Sequence, residues 1–332
     1  MPGSSDAAFQ DHHPHPRGDR LSAAATAAGA PARQILTLDD GAEFLLARIG
    51  PRGVRPVILG HGVGFAAHAY RGLWQRLARH REVVLLDMRG HGINAHLAGS
   101  GPTQPRLAED WTAVARHVAE DAGMLPDALF HSYSGVLSLH AEYAHGRLYG
   151  RRVFMEPPLV PAASMPGAAE ATSGRDFLAE RTRRRKDRFA SPEAFAQIFR
   201  DRPEFAQMEP QAPDDLAAAL LVPADDGDGF QLACKPAIES GFYSGNTCED
   251  LWSLIDRAGR EPGLVAPSLM MAGRRPDGTG DFTAEIAPEI AVRAGFDFVR
   301  LAGLTHMLPL ERPALIAGIA TAFFDEPHDP GN

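Results

Sequence analysis

Cysteine and positive charge are both scarce in this sequence, and each shortage excludes a class of protein. The chain has two cysteines among 332 residues, Cys234 and Cys248, which is too few for a disulfide-stabilised scaffold. Their spacing matches neither a zinc ribbon nor a CxxC redox motif. Lys and Arg total 33 against 42 Asp and Glu, and the net charge of −9 argues against nucleic-acid binding. We therefore expect two ordinary thiols and no nucleic-acid partner.

Long apolar runs are absent as well. No stretch approaches the run of about 18 apolar residues that a membrane span requires. A signal peptide would begin with a cationic stretch followed by an apolar core, but Asp6 and Asp11 come first and the segment 23–30 is only weakly apolar. We expect a cytoplasmic protein that neither spans a membrane nor is exported.

The overall composition is typical of a globular protein with unstructured ends. Hydrophobic residues make up 44% and charged residues 23% of the chain, which is enough for a buried core. Residues 1–33 are rich in Ala, Gly, Pro and His without apolar periodicity, so we predict a disordered tail there and a second short tail at 327–332. His12, His13 and His15 lie in the first tail, where no neighbouring groups would orient the imidazoles for a metal.

Strands and helices alternate after residue 34. Ile35–Leu38 and Glu43–Ile49 flank an Asp-Gly turn, which predicts an antiparallel hairpin. Short apolar runs then alternate with amphipathic stretches, which is typical of βαβ units in a mostly parallel sheet. The predicted strands are 54–59, 83–86, 128–130, 153–155, 268–272 and 296–301, and the predicted helices are 70–79, 107–120, 135–143, 284–292 and 314–324. The fold class predicted is α/β.

An insertion interrupts this alternation. After Pro157 the pattern becomes polar and helix-biased until about Gly263, so we assign 161–263 to a cap between the core segments 34–160 and 264–326. A basic block within it, Arg181–Arg188, is interpreted as a solvated helix face, with anion binding as the alternative. Seven phenylalanines suggest either an apolar substrate or the core of the cap itself: Phe177, Phe189, Phe195, Phe199, Phe205, Phe230 and Phe242.

The segment 128–136 carries a candidate nucleophile. A short apolar strand runs directly into a helix through His131, Ser132 and Tyr133, and a serine at such a turn projects above the sheet. Phe130 and Ser134 stand where the GxSxG motif has glycines. Ser134 is the alternative nucleophile, but it would place Val136 at the second small position, so Ser132 is preferred.

A glycine-rich turn follows an earlier strand. Residues 57–65 read VILGHGVGF, and such a turn leaves main-chain amides unpaired. Acyl transfer builds negative charge on a carbonyl oxygen, which two amides can stabilise as an oxyanion hole. We assign these amides to Val63 and Tyr133, and we expect His61 to brace the loop.

Two segments near the C-terminus supply a base and an acid. His306 follows a predicted strand and precedes the last helix, which suits a general base on a loop. Asp277 follows the strand at 268–272 and is the preferred acid, with Asp281 as its rival. The chain order of Ser132, an aspartate and His306 is one in which a catalytic triad occurs.

From Ile35 to Phe324 these segments resemble the α/β-hydrolase superfamily. The resemblance is carried by 61–64 (HGVG), 87–92 (DMRGHG), 131–133 (HSY), Gly273 with Asp277, and His306 with Glu311 and Pro313. It implies an eight-stranded, mostly parallel sheet flanked by helices, with a helical cap inserted after strand six. It also implies a triad of Ser132, Asp277 and His306, with neither a cofactor nor a metal.

The resemblance implies a serine hydrolase that cleaves an ester, thioester or lactone of a small, apolar substrate through an acyl-enzyme. C–C bond hydrolysis and perhydrolysis on the same triad are alternatives. Two further hypotheses are a non-catalytic small-molecule-binding protein and an interaction protein that works through the basic block. Substrate identity and oligomeric state are left open by the sequence.

Overall fold

A computed structural model describes residues 30–99 and 101–327, so most of the two predicted tails lies outside the described residues. The described strands are β1 (Ala32–Thr37), β2 (Glu43–Ile49), β3 (Val57–Gly60), β4 (Val83–Leu86), β5 (Asp127–His131), β6 (Arg152–Met155), β7 (Arg188–Phe189), β8 (Leu221–Pro223), β9 (Phe230–Leu232), β10 (Ser268–Arg274) and β11 (Asp297–Ala302).

The helices in the same part of the chain are α1 (Arg71–Leu77), α2 (Gln104–Ala122), α3 (Tyr133–His145), α4 (Ala168–Arg183), α5 (Pro192–Arg200), α6 (Ala212–Leu220), α7 (Pro236–Ser244), α8 (Glu249–Ala258), α9 (Phe282–Ala294), α10 (Leu308–Glu311) and α11 (Pro313–Asp325). Short 3₁₀ segments cover Ala67–Tyr70, Gly92–Leu97 and Pro203–Phe205.

Eight strands form the main sheet in the order β1-β2-β4-β3-β5-β6-β10-β11. Strand β2 runs antiparallel to both of its neighbours, and the remaining pairs from β4 to β11 are parallel. The carboxyl ends of the parallel strands therefore meet at one edge, where loops that are distant in sequence come together. Ala32 and Arg33, which the composition assigned to the tail, belong to β1 because they pair with β2.

The strands are apolar on both faces because helices cover both faces of the sheet. In β4, Val84 and Leu86 face one apolar cluster, whereas Val83 and Leu85 face the other, as the two-residue period of a strand requires. The first cluster includes side chains of α2, α3, α8 and α9. The second includes side chains of α1, α6 and α11.

The segment between β6 and β10 forms the predicted insertion, and it is not wholly helical. Strands β7, β9 and β8 make a small antiparallel sheet among its helices. Helix α8 lies inside the boundary predicted for the cap, but it packs against α3 and α9 of the main domain. Its buried face, Leu251, Trp252, Leu254 and Ile255, joins the first apolar cluster, which a helix of a detached cap would not do.

Both cysteines, Cys234 and Cys248, are buried free thiols. Among the described residues, no helix is both long and apolar enough to cross a membrane.

Candidate active site

Ser132 lies at the junction where β5 ends and α3 begins. Its φ of 55° and ψ of −124° fall outside the regions that non-glycine residues favour, so the turn is strained. Ser132 lines a cavity at the carboxyl edge of the sheet. Ser134 is fully buried instead, and its hydroxyl donates to the His131 carbonyl oxygen over 2.8 Å. Of the two candidate serines, Ser132 is therefore the one that faces the cavity.

Phe130, which stands at the first glycine position of the usual elbow motif, is accommodated by a glycine on the neighbouring strand. Gly60 of β3 pairs with Phe130 in register, and a Cβ atom on Gly60 would lie 2.8 Å from Phe130 Cδ1 and 2.8 Å from Ser134 Cβ. The Phe130 ring packs edge-on against Tyr149, with ring centroids 5.4 Å apart. The small residue that this turn requires is thus supplied by β3 rather than by β5.

The loop after β3 lies beside the same cavity. Gly62 and Val63 line it together with Ser132 and Tyr133. A Cβ atom on Gly62 would lie 3.1 Å from Ser132 Cβ, so glycine allows the loop to approach the serine closely. In the part of the chain that the structure describes, neither the Val63 nor the Tyr133 amide donates to a carbonyl of another loop. The two residues predicted for the oxyanion hole therefore border the cavity next to Ser132.

Two buried histidines hold this loop in place. His61 Nδ1 lies 2.7 Å from the Gly62 carbonyl oxygen, and its Nε2 accepts from the Met88 amide over 3.0 Å. His91 Nε2 accepts from the Gly64 amide over 3.0 Å. Burial lowers the pKa of both imidazoles, that of His91 to about 3, so both rings are neutral. His61 braces the loop, as the sequence suggested.

His306 lies on the loop that follows β11, and its main chain is fixed on both sides. The preceding residue, Thr305, donates from its amide and its hydroxyl to the buried Glu311 carboxylate over 2.8 and 2.7 Å. The His306 carbonyl oxygen accepts from the His131 ring over 2.9 Å. The His306 imidazole lines the same cavity as Ser132. The predicted nucleophile and the predicted base thus border one cavity.

The carboxylate that meets His306 is Glu156, a residue that the sequence-based assignment missed. Glu156 directly follows β6, is fully buried, and accepts from His306 Nδ1 over 2.7 Å. It also accepts from the Thr283 hydroxyl over 2.7 Å and from the Gly273 amide over 2.7 Å. Burial alone would raise the pKa of Glu156, but the hydrogen bonds from His306, Thr283 and Gly273 outweigh it and hold the pKa below its ordinary value. Glu156 is therefore an ionised partner of the imidazole.

The structure does not bring Asp277, the predicted acid, to His306. Its carboxylate is exposed and accepts from the amide and the hydroxyl of Thr279 over 2.9 and 2.7 Å. The turn closes on itself, since the Arg275 amide donates to the Thr279 carbonyl oxygen over 2.9 Å, and so it does not extend to His306. The rival, Asp281, precedes α9 at the cavity wall, where its carboxylate pairs with Arg275.

One sequence signal could have identified Glu156. A glutamate directly after a buried parallel strand lies at the carboxyl edge of the sheet, as an aspartate after β10 would. Glu156 also satisfies the chain order of serine, acid and histidine. The order alone cannot choose between the ends of β6 and β10, because both lie between Ser132 and His306 in the chain.

The cavity has a volume of about 760 Å³, within the range of sites that enclose a small molecule. Its wall is mainly apolar and combines main-domain and cap side chains, which include Phe65, Val160, Leu178, Phe242, Ile286 and Met307. Charged residues at the wall are Glu170, Arg175, Asp281 and Glu285. A cavity of this kind can enclose a small molecule with an apolar body.

Most of the cap phenylalanines serve the cap itself. Phe242 lines the cavity, whereas Phe189, Phe195, Phe199 and Phe205 pack against one another in sequence, with ring centroids 4.8 to 5.3 Å apart.

Three arginines of the basic block pair with carboxylates. Arg184 pairs with Glu180, Arg185 with Glu239, and Arg188 with Asp226. This pairing offsets part of the positive charge of the block. Within the described ranges, no group of three or more His, Cys, Asp or Glu side chains could hold a metal ion.

Comparison with known proteins shows the family and the fold. The model of the alpha/beta hydrolase family matches residues 57–319. Among solved structures, E-2-(acetamidomethylene)succinate hydrolase superimposes with a TM-score of 0.67 at 17% identity, covering 89% of this chain and 99% of its own. The thioesterase domain from the curacin biosynthetic pathway gives 0.66 at 15% identity, covering 88% and 99%.

A thermophilic esterase from Thermogutta terrifontis gives a TM-score of 0.60 at 18% identity, with 88% of this chain and 97% of that chain covered. At these identities the superpositions bear on the fold, and they confirm the predicted arrangement of a mostly parallel eight-stranded sheet flanked by helices.

Proposed function

Because the chain belongs to the alpha/beta hydrolase family, we propose that it is a serine hydrolase that cleaves an ester, thioester or lactone of a small, apolar substrate. In this proposal Ser132 is the nucleophile, His306 the general base and acid, and Glu156 the carboxylate that orients His306. The amides of Val63 and Tyr133 form the oxyanion hole. The enzyme needs no cofactor for this chemistry and acts on a small molecule in the cytoplasm.

The observation that carries the proposal is the placement of the His306 imidazole. Its Nδ1 is engaged by the buried Glu156 carboxylate, so the hydrogen sits on Nδ1 and Nε2 is left with a lone pair. The ring borders the cavity that the strained Ser132 also lines. Acyl transfer requires a ring nitrogen with a lone pair that can reach the serine hydroxyl, and His306 and Ser132 face the same cavity.

The reaction follows from these roles. His306 Nε2 takes the Ser132 hydroxyl proton while Ser132 Oγ forms a bond to the substrate carbonyl carbon, and the carbonyl electron pair moves to the oxygen. The Val63 and Tyr133 amides stabilise that oxyanion. When the tetrahedral intermediate collapses, the imidazolium gives its proton to the leaving alcohol or thiol, and an acyl group remains on Ser132. Water then repeats both steps and releases the acid.

Glu156 supports both proton transfers. Its negative charge stabilises the imidazolium that forms on His306, and its hydrogen bond keeps the ring in the required tautomer. The hydrogen bonds from Thr283 and Gly273 leave the carboxylate little freedom to turn away.

The test is covalent labelling by a fluorophosphonate probe, combined with hydrolysis of p-nitrophenyl esters of graded acyl length. We expect the wild type to be labelled at one site, mapped by mass spectrometry to Ser132, and to hydrolyse apolar acyl esters. Ser132→Ala should lose both labelling and turnover, with a loss of order 10⁴ or more in kcat.

Ser134→Ala is the matched control. Its hydroxyl bonds the His131 carbonyl oxygen and is buried, so this variant should keep labelling and most of the turnover. An adduct on Ser134 would reverse the two roles. A folded wild type that reacts with neither probe nor esters would favour a binding protein without catalysis.

A further inference from the structure

His131, the residue before the nucleophile, is a buried histidine that the proposed reaction leaves without a role. It is 1% exposed, and both of its ring nitrogens have partners. Nε2 lies 2.9 Å from the carbonyl oxygen of His306, and Nδ1 lies 2.6 Å from the Tyr70 hydroxyl. The ring therefore connects the turn that carries Ser132 to the loop that carries the base.

The chemistry of the partners assigns each proton along this connection. A main-chain carbonyl only accepts, so His131 Nε2 carries a hydrogen and donates it to His306. His131 Nδ1 then has a lone pair that accepts the hydroxyl hydrogen of Tyr70. The Tyr70 oxygen in turn accepts from the Gly62 amide over 3.4 Å. The Gly62 amide, the Tyr70 hydroxyl, the His131 ring and the His306 carbonyl therefore form one continuous chain of hydrogen bonds.

The charge states suit this assignment. Burial lowers the pKa of His131 well below its ordinary value, and the neighbouring His306 adds to that effect, so the ring stays neutral. Burial also raises the pKa of Tyr70, so its hydroxyl keeps the hydrogen that it donates.

Ring packing restricts the same residues. The His131 ring stands edge-on to Tyr70, with centroids 5.5 Å apart and planes at 77°, and its centroid lies 4.7 Å from that of the His306 ring. Phe65 contacts His131 from another side, with centroids 6.5 Å apart. With rings on several sides, His131 cannot rotate without disturbing its neighbours.

We infer that Tyr70 and His131 are positioning residues that hold three segments at a common spacing. These are the loop 61–64 after β3, here called the oxyanion loop, the turn that carries Ser132, and the loop that carries His306. His131 restrains the His306 main chain, and Tyr70 fixes the tautomer of His131 while bonding the Gly62 amide. The inference rests on the proposed function, because it assigns a role in a reaction of Ser132 with His306. A displacement of about 1 Å of a catalytic group can cost on the order of a hundredfold in rate, so this spacing matters.

The primary test is Tyr70→Phe, which removes one oxygen atom and keeps the buried ring. We expect kcat on an activated ester to fall about tenfold, the effect of one neutral hydrogen bond, while KM changes less than about twofold. Tyr149→Phe is the control, because Tyr149 is also fully buried but packs against Phe130 and is not one of the groups in this chain of hydrogen bonds. Equal kcat values for Tyr70→Phe and Tyr149→Phe would overturn the inference.

Two substitutions of His131 supply a rescue test. His131→Leu removes the donor to the His306 carbonyl, and we expect kcat to fall on the order of a hundredfold. His131→Gln places an amide N–H near the former Nε2 and should recover about tenfold of that loss. A purely structural role would not distinguish Gln from Leu in kcat at equal thermal stability. If His131→Leu does not fold, the Tyr70→Phe result decides alone.

A double-mutant cycle shows whether the two residues act as a unit. Tyr70→Phe introduced into His131→Leu should have much less effect than it has in the wild type, since its main partner is gone. Full additivity would contradict the chain of hydrogen bonds.

Probe labelling distinguishes a failure of the proposed function from a failure of this inference. A wild type that is not labelled refutes the proposed function, whereas a labelled wild type with unimpaired Tyr70→Phe turnover refutes this inference alone.

Discussion

Glu156 combines a positive φ of 51° with complete burial, so its conformation is imposed by its contacts and not by local preference. Each carboxylate oxygen has a donor: the Gly273 amide on one side, and Thr283 with His306 on the other. The exposed Asp277 carboxylate, which accepts from Thr279, has no comparable set of donors. At the scale of single residues, the position of the Glu156 carboxylate is therefore defined by its three donors.

Glu156→Gln tests whether the Glu156 carboxylate acts as the acid of the triad. The amide keeps the size of the side chain but does not stabilise the imidazolium, so kcat should fall on the order of 10³ to 10⁴, with Ser132 still present. Asp277→Asn and Asp281→Asn are the matched controls and should keep turnover close to that of the wild type. Steady-state kinetics on one activated ester would compare all three. A loss for Asp277→Asn as large as that for Glu156→Gln would return the acid role to Asp277.

A second buried carboxylate, Glu239, links stability to pH. Glu239 on α7 packs against Gly64 of the oxyanion loop, where burial raises its pKa to about 7 against an ordinary 4.5, and Arg185 offsets only part of that effect. Between these two values the folded protein holds a proton that the unfolded chain releases. The contribution of Glu239 to the free energy of unfolding is therefore greatest below about pH 4.5, and it is lost as the pH rises through 7.

Glu239→Gln should remove that dependence. A pKa difference of about 2.5 corresponds to about 3 kcal/mol, so the free energy of unfolding of the variant relative to the wild type should rise by roughly that amount between pH 4.5 and 7.5. Urea denaturation at several pH values would measure it. Glu204→Gln, on an exposed residue, is the control. Parallel curves for Glu239→Gln and the wild type across this range would exclude the effect.

At the scale of elements, the end of β10 joins Glu156 to the loop that carries His306. The Gly273 amide donates to Glu156, and the residue lies so close to the next loop that an added Cβ would be 2.5 Å from the Leu304 carbonyl oxygen and 3.0 Å from that of Thr305. Main-chain atoms cannot yield to such a contact as the end of a flexible side chain can. A glycine here lets two loops of the site approach each other.

Gly273→Ala should therefore push the His306 loop away from Glu156. We expect a loss of about tenfold or more in kcat and a destabilisation of roughly 1 to 3 kcal/mol. The control is Gly318→Ala in α11, where an added Cβ meets nothing within 4 Å, and where alanine should raise stability by up to about 1 kcal/mol. Kinetics and thermal melting of both variants would check the contrast. An active, undestabilised Gly273→Ala protein would contradict the close packing.

At the scale of the whole molecule, the cap is continuous with the core. Helix α6 packs against the 3₁₀ segment Ala67–Tyr70, and Leu216 is buried in the same cluster as Tyr70 and Leu73. On the other side, Phe242 of α7 packs edge-on against Tyr133, with ring centroids 5.7 Å apart. The cap therefore covers apolar surface of the main domain as well as the cavity.

Replacing residues 164–247 by a short Gly/Ser linker should consequently give an aggregating or strongly destabilised protein. Removal of the cap uncovers side chains that form part of one apolar cluster, and a soluble monomer rarely exposes such a patch. Phe177→Ser, at a cap residue that is 70% exposed, should leave stability within about 0.5 kcal/mol of the wild type. Size-exclusion chromatography and thermal melting would compare the two. A soluble, folded deletion would instead show that the cap is a separable lid.

The sequence by itself determined the features that depend on neighbours along the chain. The alternation of strands and helices, the hairpin at 35–49, the strand-to-helix turn at Ser132 and the glycine-rich turn at Val63 all follow from apolar periodicity and turn chemistry. These signals act over a few residues, so the fold class and the sheet pattern could be predicted from them.

Only the tertiary structure decided which groups meet across the sheet. Glu156 and His306 are separated by 150 residues, and they meet because β6, β10 and β11 are adjacent in the sheet. Asp277 lies nearer in sequence, but its turn folds back on itself. Phe130 is tolerated because Gly60 faces it from the neighbouring strand. Strand order and register place these side chains, and no periodicity within a segment encodes them.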